Sequence, residues 1–110
     1  MMHAAGPYVV ASALVGLGIY GVLARRNAVL ILIGVELIIA GAGLLLVTAG
    51  ALGIDRSGEG NILTLFVITI AAAEVVVALA VIIAAFRSVG HVDVTADAED
   101  DELLAEGDGR

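Results

Sequence analysis

The sequence holds no cysteine, no tryptophan and a single proline in 110 residues. The missing thiols exclude a disulfide framework, a thiolate metal site and any iron–sulfur cluster held by this chain. Basic residues are scarce as well, with five Lys and Arg against twelve Asp and Glu. That balance excludes the positive footprint of a nucleic-acid binder. Aromatic residues make up only 4%. What is present is aliphatic and small: 61% of the chain is hydrophobic, 14 residues are glycine, and the mean hydropathy is +1.11. Soluble domains carry about 45–50% apolar residues. The chain is too apolar for disorder and too short for more than one domain, so it reads as an integral membrane protein.

The net charge of −7 is unevenly spread. Eight acidic residues, from Asp93 to Asp108, lie beyond Gly90 and are offset only by Arg110. In the first 90 residues Arg25, Arg26, Arg56 and Arg87 balance Glu36, Asp55, Glu59 and Glu74. A neutral membrane body over 1–89 thus carries an acidic tail over 90–110. A segment so charged and so poor in hydrophobic residues is expected to be a solvated extension, disordered or only weakly helical.

A bilayer core requires about 20 apolar residues per helix. Three stretches qualify, at 4–24, 28–52 and 62–86. Uninterrupted runs of this length satisfy their backbone in lipid as helices. The expected fold is all-α, with three antiparallel transmembrane helices. Arg25, Arg26 and Asn27 make a short turn between the first two spans, and residues 55–61 a longer loop rich in turn formers. Arg25, Arg26 and Arg87 lie on one side of this arrangement and Arg56 on the other. The positive-inside rule then puts the N-terminus outside and the C-terminal tail in the cytoplasm, across the cell membrane. The first apolar run has no basic segment before it, so a secretory signal peptide is not expected.

Two residues break the apolar pattern inside the spans. Glu36 lies nine residues after Asn27, about 14 Å along a helix axis, and Glu74 lies thirteen residues from both Asn61 and Arg87, about 20 Å from each. Placing an acidic group at the centre of a bilayer costs about 2.5–3.5 kcal/mol on insertion scales. Glu is too short to reach the surface from such depth. Intramembrane carboxylates face a bundle interior or a hydrated cavity and mark ion or proton pathways. Their helical neighbours are small, Ala40 and Gly43 for Glu36, Ala71 and Ala78 for Glu74, which leaves room for another helix or for water. Glu36 and Glu74 are therefore the candidate proton-carrying residues.

The remaining patterns read as structural. Gly16, Gly18 and Gly21 match a dinucleotide-binding spacing, but no strand precedes them and no acidic ribose reader follows. Ser12–Gly16, Ala49–Gly53 and Ala80–Ala84 are pairs of small residues suited to close helix contacts. Thr48, Thr64 and Thr69 are expected to hydrogen-bond backbone or water in a structural role. His3 and His91 are too far apart in sequence to suggest a metal site, and none is expected. Arg25 and Arg26 read as topology anchors, with a second role in pairing with an acidic residue of a partner subunit.

Three features together resemble a known family. They are the run from Gly18 through Arg25, Arg26, Asn27 and Gly34 to Glu36 and Leu37, the run from Leu65 and Phe66 through Thr69 and Ala73 to Glu74, and the three-span plan. Over roughly residues 8–88 the chain is similar to the K subunit of the proton-pumping NADH:quinone oxidoreductase (complex I) family, whose relatives include F420H2- and ferredoxin-linked dehydrogenases. The resemblance implies that Glu36 and Glu74 correspond to the family's two membrane carboxylates in its hydrophilic axis of proton translocation. It implies that Arg25 and Arg26 match the basic loop after the first helix. It further implies a hetero-oligomer embedded in lipid among other membrane subunits, with no cofactor bound by this subunit. NAD(H) or F420H2, FMN, iron–sulfur clusters and quinone would be handled elsewhere in the complex, and the subunit alone would have no catalytic activity. Ala40 and Gly43 stand where the family usually carries Asn, and the acidic tail is outside its usual pattern. The rival readings are a subunit of a membrane-bound hydrogenase or of a multisubunit sodium/proton antiporter, and a purely structural assembly subunit.

Overall fold

A computed structural model describes residues 5–53 and 58–95, with Leu103 and Ala105 beyond them. Among the described residues it forms three long helices: α1 (Ala5–Ala24), α2 (Ala28–Ala51) and α3 (Glu59–Val89). All three are long and apolar enough to cross a membrane. The first two fall within a residue of the expected spans. The third is longer by three residues at each end, and at 1.5 Å per residue its 31 residues extend about 46 Å. Polar Glu59 in its first turn and Arg87 in its last complement the helix dipole, which explains why the helix continues past the apolar run. Asp55 and Arg56 of the second loop lie outside the described residues.

The ends of the helices follow from local chemistry. Pro7 sits in the first turn of α1, where its missing N–H has no helical acceptor to lose. Asn27 caps α2, its side-chain oxygen accepting from Val29 N–H at 2.9 Å. Gly90 ends α3 in the left-handed region at φ 88°, and its N–H donates to Phe86 O. Within the helices Thr48, Thr64 and Thr69 donate their hydroxyls to the carbonyls of Leu44, Gly60 and Leu65 at 2.7–2.8 Å. These polar groups thus satisfy themselves, as the sequence suggests.

The central helix is α2, which packs on α1 along one side and on α3 along the other, while α1 and α3 do not meet. The α1–α2 seam is built on backbone approach. A Cβ placed on Gly18 would stand 2.6 Å from Gly34 O, one on Gly34 would stand 2.8 Å from Gly18 O, and one on Gly41 would stand 3.0 Å from Ala11 O. Residues early in α1 face residues late in α2, so the helices run antiparallel. Gly34 and Gly41, like Ala11 and Gly18, are seven residues apart, two turns along one face. The small pairs singled out from sequence lie elsewhere: a Cβ on Gly16 meets nothing within 4 Å, and Gly53 lies past the end of α2 at φ 70°. The outer faces stay apolar and open. Leu23, Leu65 and Val76 are 81%, 66% and 68% exposed.

The start of the tail departs from expectation. Residues 91–95 return to the α1–α2 turn, where Asn27 and Asp93 form an antiparallel β-bridge. Ala28 N–H donates to Val92 O at 2.9 Å, and Val94 N–H donates to Arg26 O at 3.0 Å. The left-handed Gly90 turns the chain back, and β-branched Val92 and Val94 favour the extended backbone. The expectation of a disordered tail falls, past Thr95, outside the described residues, apart from helical Leu103 and Ala105.

Candidate functional site: two intramembrane carboxylates

Glu36 is the ninth residue of α2, and its side chain lies half-buried in the crevice between α2 and α3. Two grooves meet at it. One, of about 500 Å³, is lined with Glu36 by Ala40, Gly43 and Val47 from α2 and by Thr64, Val67 and Ala71 from α3. The other, of about 430 Å³, runs toward the α1–α2 turn past Leu32, Ile33, Val75 and Leu79. Small side chains at 40, 43 and 71 create the space. The carboxylate oxygen Oε1 is buried and has no hydrogen-bond partner among the described residues. A buried polar atom in that condition costs about 1–3 kcal/mol until a donor reaches it. The groove supplies the access, and Thr64, whose hydroxyl proton is committed to Gly60 O, offers it only acceptor capacity.

Glu74 is the midpoint of α3, fifteen residues from either end. Its level matches that of Glu36, because Ala71, Ala72 and Val75 stand beside Glu36 across the crevice. Its direction differs. The α2-facing residues of α3 include Thr64, Ala71, Val75 and Leu79, and at 100° per residue Glu74 points about 100° away from the centre of that face. It is exposed in a shallow depression with Ile70, Ala73, Val77 and Ala78. The chain therefore holds its two carboxyls at one depth on two surfaces. The described residues do not join them, and a link between them would pass through other groups or through water.

Arg25 and Arg26 are exposed in the α1–α2 turn, at the end of the molecule away from Gly53 and Gly58. Asp93 comes close enough for the Arg26 guanidinium to act on it. Its carboxyl is held below the usual carboxylate range by hydrogen bonds from Thr95 N–H and Thr95 Oγ1–H at 2.9 and 2.8 Å, with smaller help from the charges of Arg26 and His91. This docked segment was not anticipated. The signal was present as an alternation of β-branched and polar residues, Val92-Asp93-Val94-Thr95, shortly after a glycine. Among the described residues no group of His, Asp and Glu is placed to hold a metal ion.

Fold and site together define an α-helical, multi-pass membrane protein with one acidic residue inside each of two adjacent spans. The model of the NADH-ubiquinone/plastoquinone oxidoreductase chain 4L family matches residues 7–98, which include Glu36, Glu74 and the docked segment. The chain belongs to that family. It is 47% identical over 89 residues to an NADH-quinone oxidoreductase subunit K 2 of Streptomyces griseus, and the match covers 81% of this chain but only 60% of the length of that relative. It is 43% identical over 97 residues to the protein of the same name in Streptomyces avermitilis, covering 84% and 75%. It is 49% identical over 82 residues to the subunit K of Thermus thermophilus, covering 73% and 82%.

Proposed function

We propose that this chain is a membrane subunit of a respiratory NADH–quinone oxidoreductase and that Glu36 and Glu74 exchange protons there while electrons pass to quinone in other subunits. The observation that carries this reading is Glu36 Oε1, buried at mid-membrane depth in an open groove with its hydrogen-bonding capacity unused among the described residues. A static glue residue spends its polar atoms on its own fold, as Thr48 and Thr64 do. Glu36 keeps an oxygen for something else. Water or a donor side chain of an adjoining subunit would enter along the groove and exchange a proton with it. Glu74 presents the second carboxyl to a different neighbour, which makes the chain a relay between two partners. Ala40 and Gly43 leave volume in place of side-chain amides, so hydration of the groove takes over their hydrogen bonds.

Family membership supports the assembly. Partners would be membrane subunits packed on the exposed faces of α1 and α3. Arg25, Arg26 and the C-terminal end of α3 would face the cytoplasm, with the N-terminus on the outer side of the cell membrane. FMN, iron–sulfur clusters and quinone would be bound by other subunits, since this chain has no thiolate to offer, and its activity would exist only within the complex.

The test is to substitute Glu36→Gln and Glu74→Gln and to compare, in membrane vesicles, NADH oxidation, subunit assembly and the pH gradient generated. Gln preserves volume and hydrogen bonding but carries no exchangeable acid proton. Glu36→Gln is expected to lower proton pumping by about tenfold or more while the complex assembles. Glu74→Gln is expected to act more mildly alone and to add to the loss in combination. Unaltered pumping by the assembled double variant would leave only a structural role.

A further inference from the structure

The turn that carries Arg25 and Arg26 has little to hold it. It is a short connection at the end of a chain whose outer helices do not touch, and α2 leaves its first N–H groups unsatisfied unless something caps them. Asn27 takes one of these, from Val29. Val92 O takes another, from Ala28, the first residue of the helix. The same five-residue segment gives Val94 N–H to Arg26 O, so both sides of Asn27 are hydrogen-bonded to it. Asp93 stands directly opposite Asn27 and is itself fixed by Thr95. Gly90 sets the direction of the returning chain, and Val92 and Val94 help line a hollow with Val81, Ile82 and Ala85 of α3.

We propose that residues 91–95 form a clasp that ties the Arg25–Asn27 turn to the end of α3 and so sets how the two arginines are presented at the membrane surface. The clasp links the end of α1 to the end of α3, which do not meet as helices. It positions Arg26 through its main chain, from which the side chain projects. Val94 serves through its N–H and Val92 through its carbonyl, so their backbone atoms matter more than their side chains.

Bridging hydrogen bonds that flank the Asn27–Asp93 pair, rather than join it, bring the two Cα atoms to about 4.5 Å, within the range a disulfide spans. The chain has no cysteine of its own, so an introduced pair reads without background. In membranes containing the assembled complex, Asn27→Cys with Asp93→Cys is expected to cross-link under mild oxidation at least about tenfold faster than Asn27→Cys with Val94→Cys, whose Cβ points to the opposite side. Equal rates, or no cross-link in either pair, would overturn the clasp. A second measurement separates positioning from folding. Val94→Pro removes the N–H that reaches Arg26 O, whereas Val94→Ala keeps it. With Arg25→Cys as a reporter, Val94→Pro is expected to change the rate of labelling by a membrane-impermeant maleimide severalfold and Val94→Ala to leave it unchanged. Equal labelling in the two variants would contradict the proposal. Both readouts are independent of proton pumping, so they stand or fall apart from the proposed function.

Discussion

Glu36 and Glu74 share a residue type and a depth but occupy different surroundings. The first is half-buried against α3 with an idle oxygen, and the second lies open on the outer face of α3. Their presence and depth were legible in the sequence, because a single acid in an apolar run needs only residue counting to locate. Their directions were not. Small residues three, four and seven positions away suggested an inward face for both, yet Glu74 is exposed and points about 100° away from the α2-facing side on which Ala71 lies. Helical spacing gives the angle between residues of one helix and not the bearing of its neighbour. Asp93 shows a different residue-level effect. Its carboxyl is lowered by the Thr95 hydrogen bonds and by Arg26 and His91, so its contribution to the clasp is complete above the ordinary Asp range and is lost as pH falls through its depressed folded value. Maleimide labelling of the Arg25→Cys reporter checks this, once divided by the labelling of free cysteine at the same pH. With Asp93 intact the ratio should change on acidification in the same direction as with Val94→Pro, and Asp93→Asn should remove that pH dependence.

Among the helices, the three spans were readable to within a few residues because lipid admits one backbone solution for long apolar runs. The seam between α1 and α2 was harder to see. Fourteen glycines offer many pairings, and only the partner helix reveals that Gly18, Gly34 and Gly41 make the tightest approaches, with Gly21 beside them. At Gly34 a methyl group would press on Gly18 O and on Val22 N, both backbone atoms that cannot rotate away. Gly34→Ala is therefore expected to destabilise the helix pair by about 1–3 kcal/mol, the usual cost of overpacking. Gly43 has nothing within 4 Å of a built Cβ. Gly43→Ala is expected to be neutral or to stabilise by up to about 1 kcal/mol through helix propensity. The midpoint of unfolding by a denaturing detergent in micelles measures both. A Gly34→Ala protein as robust as the parent would refute the close backbone approach.

The whole chain has a central helix and two flanking ones, with one apolar side chain, Ala11, fully buried among the described residues. Such an object cannot close a core by itself. On the proposed function, lipid and partner subunits would complete it, and the two grooves at Glu36 together with the outer face at Glu74 are where completion would bear on chemistry. On that reading the groups across those surfaces would belong to other chains, which is why one sequence does not name them. What the structure does supply is a carboxyl group, Glu36, with one buried oxygen that has no hydrogen-bond partner among the described residues. Redox-induced infrared difference spectroscopy of the assembled complex reads that acid directly. A band for a protonated carboxyl that appears or shifts on reduction by NADH should vanish in the Glu36→Gln complex while electron transfer to an artificial acceptor persists. An identical difference spectrum in parent and variant would contradict proton exchange at Glu36.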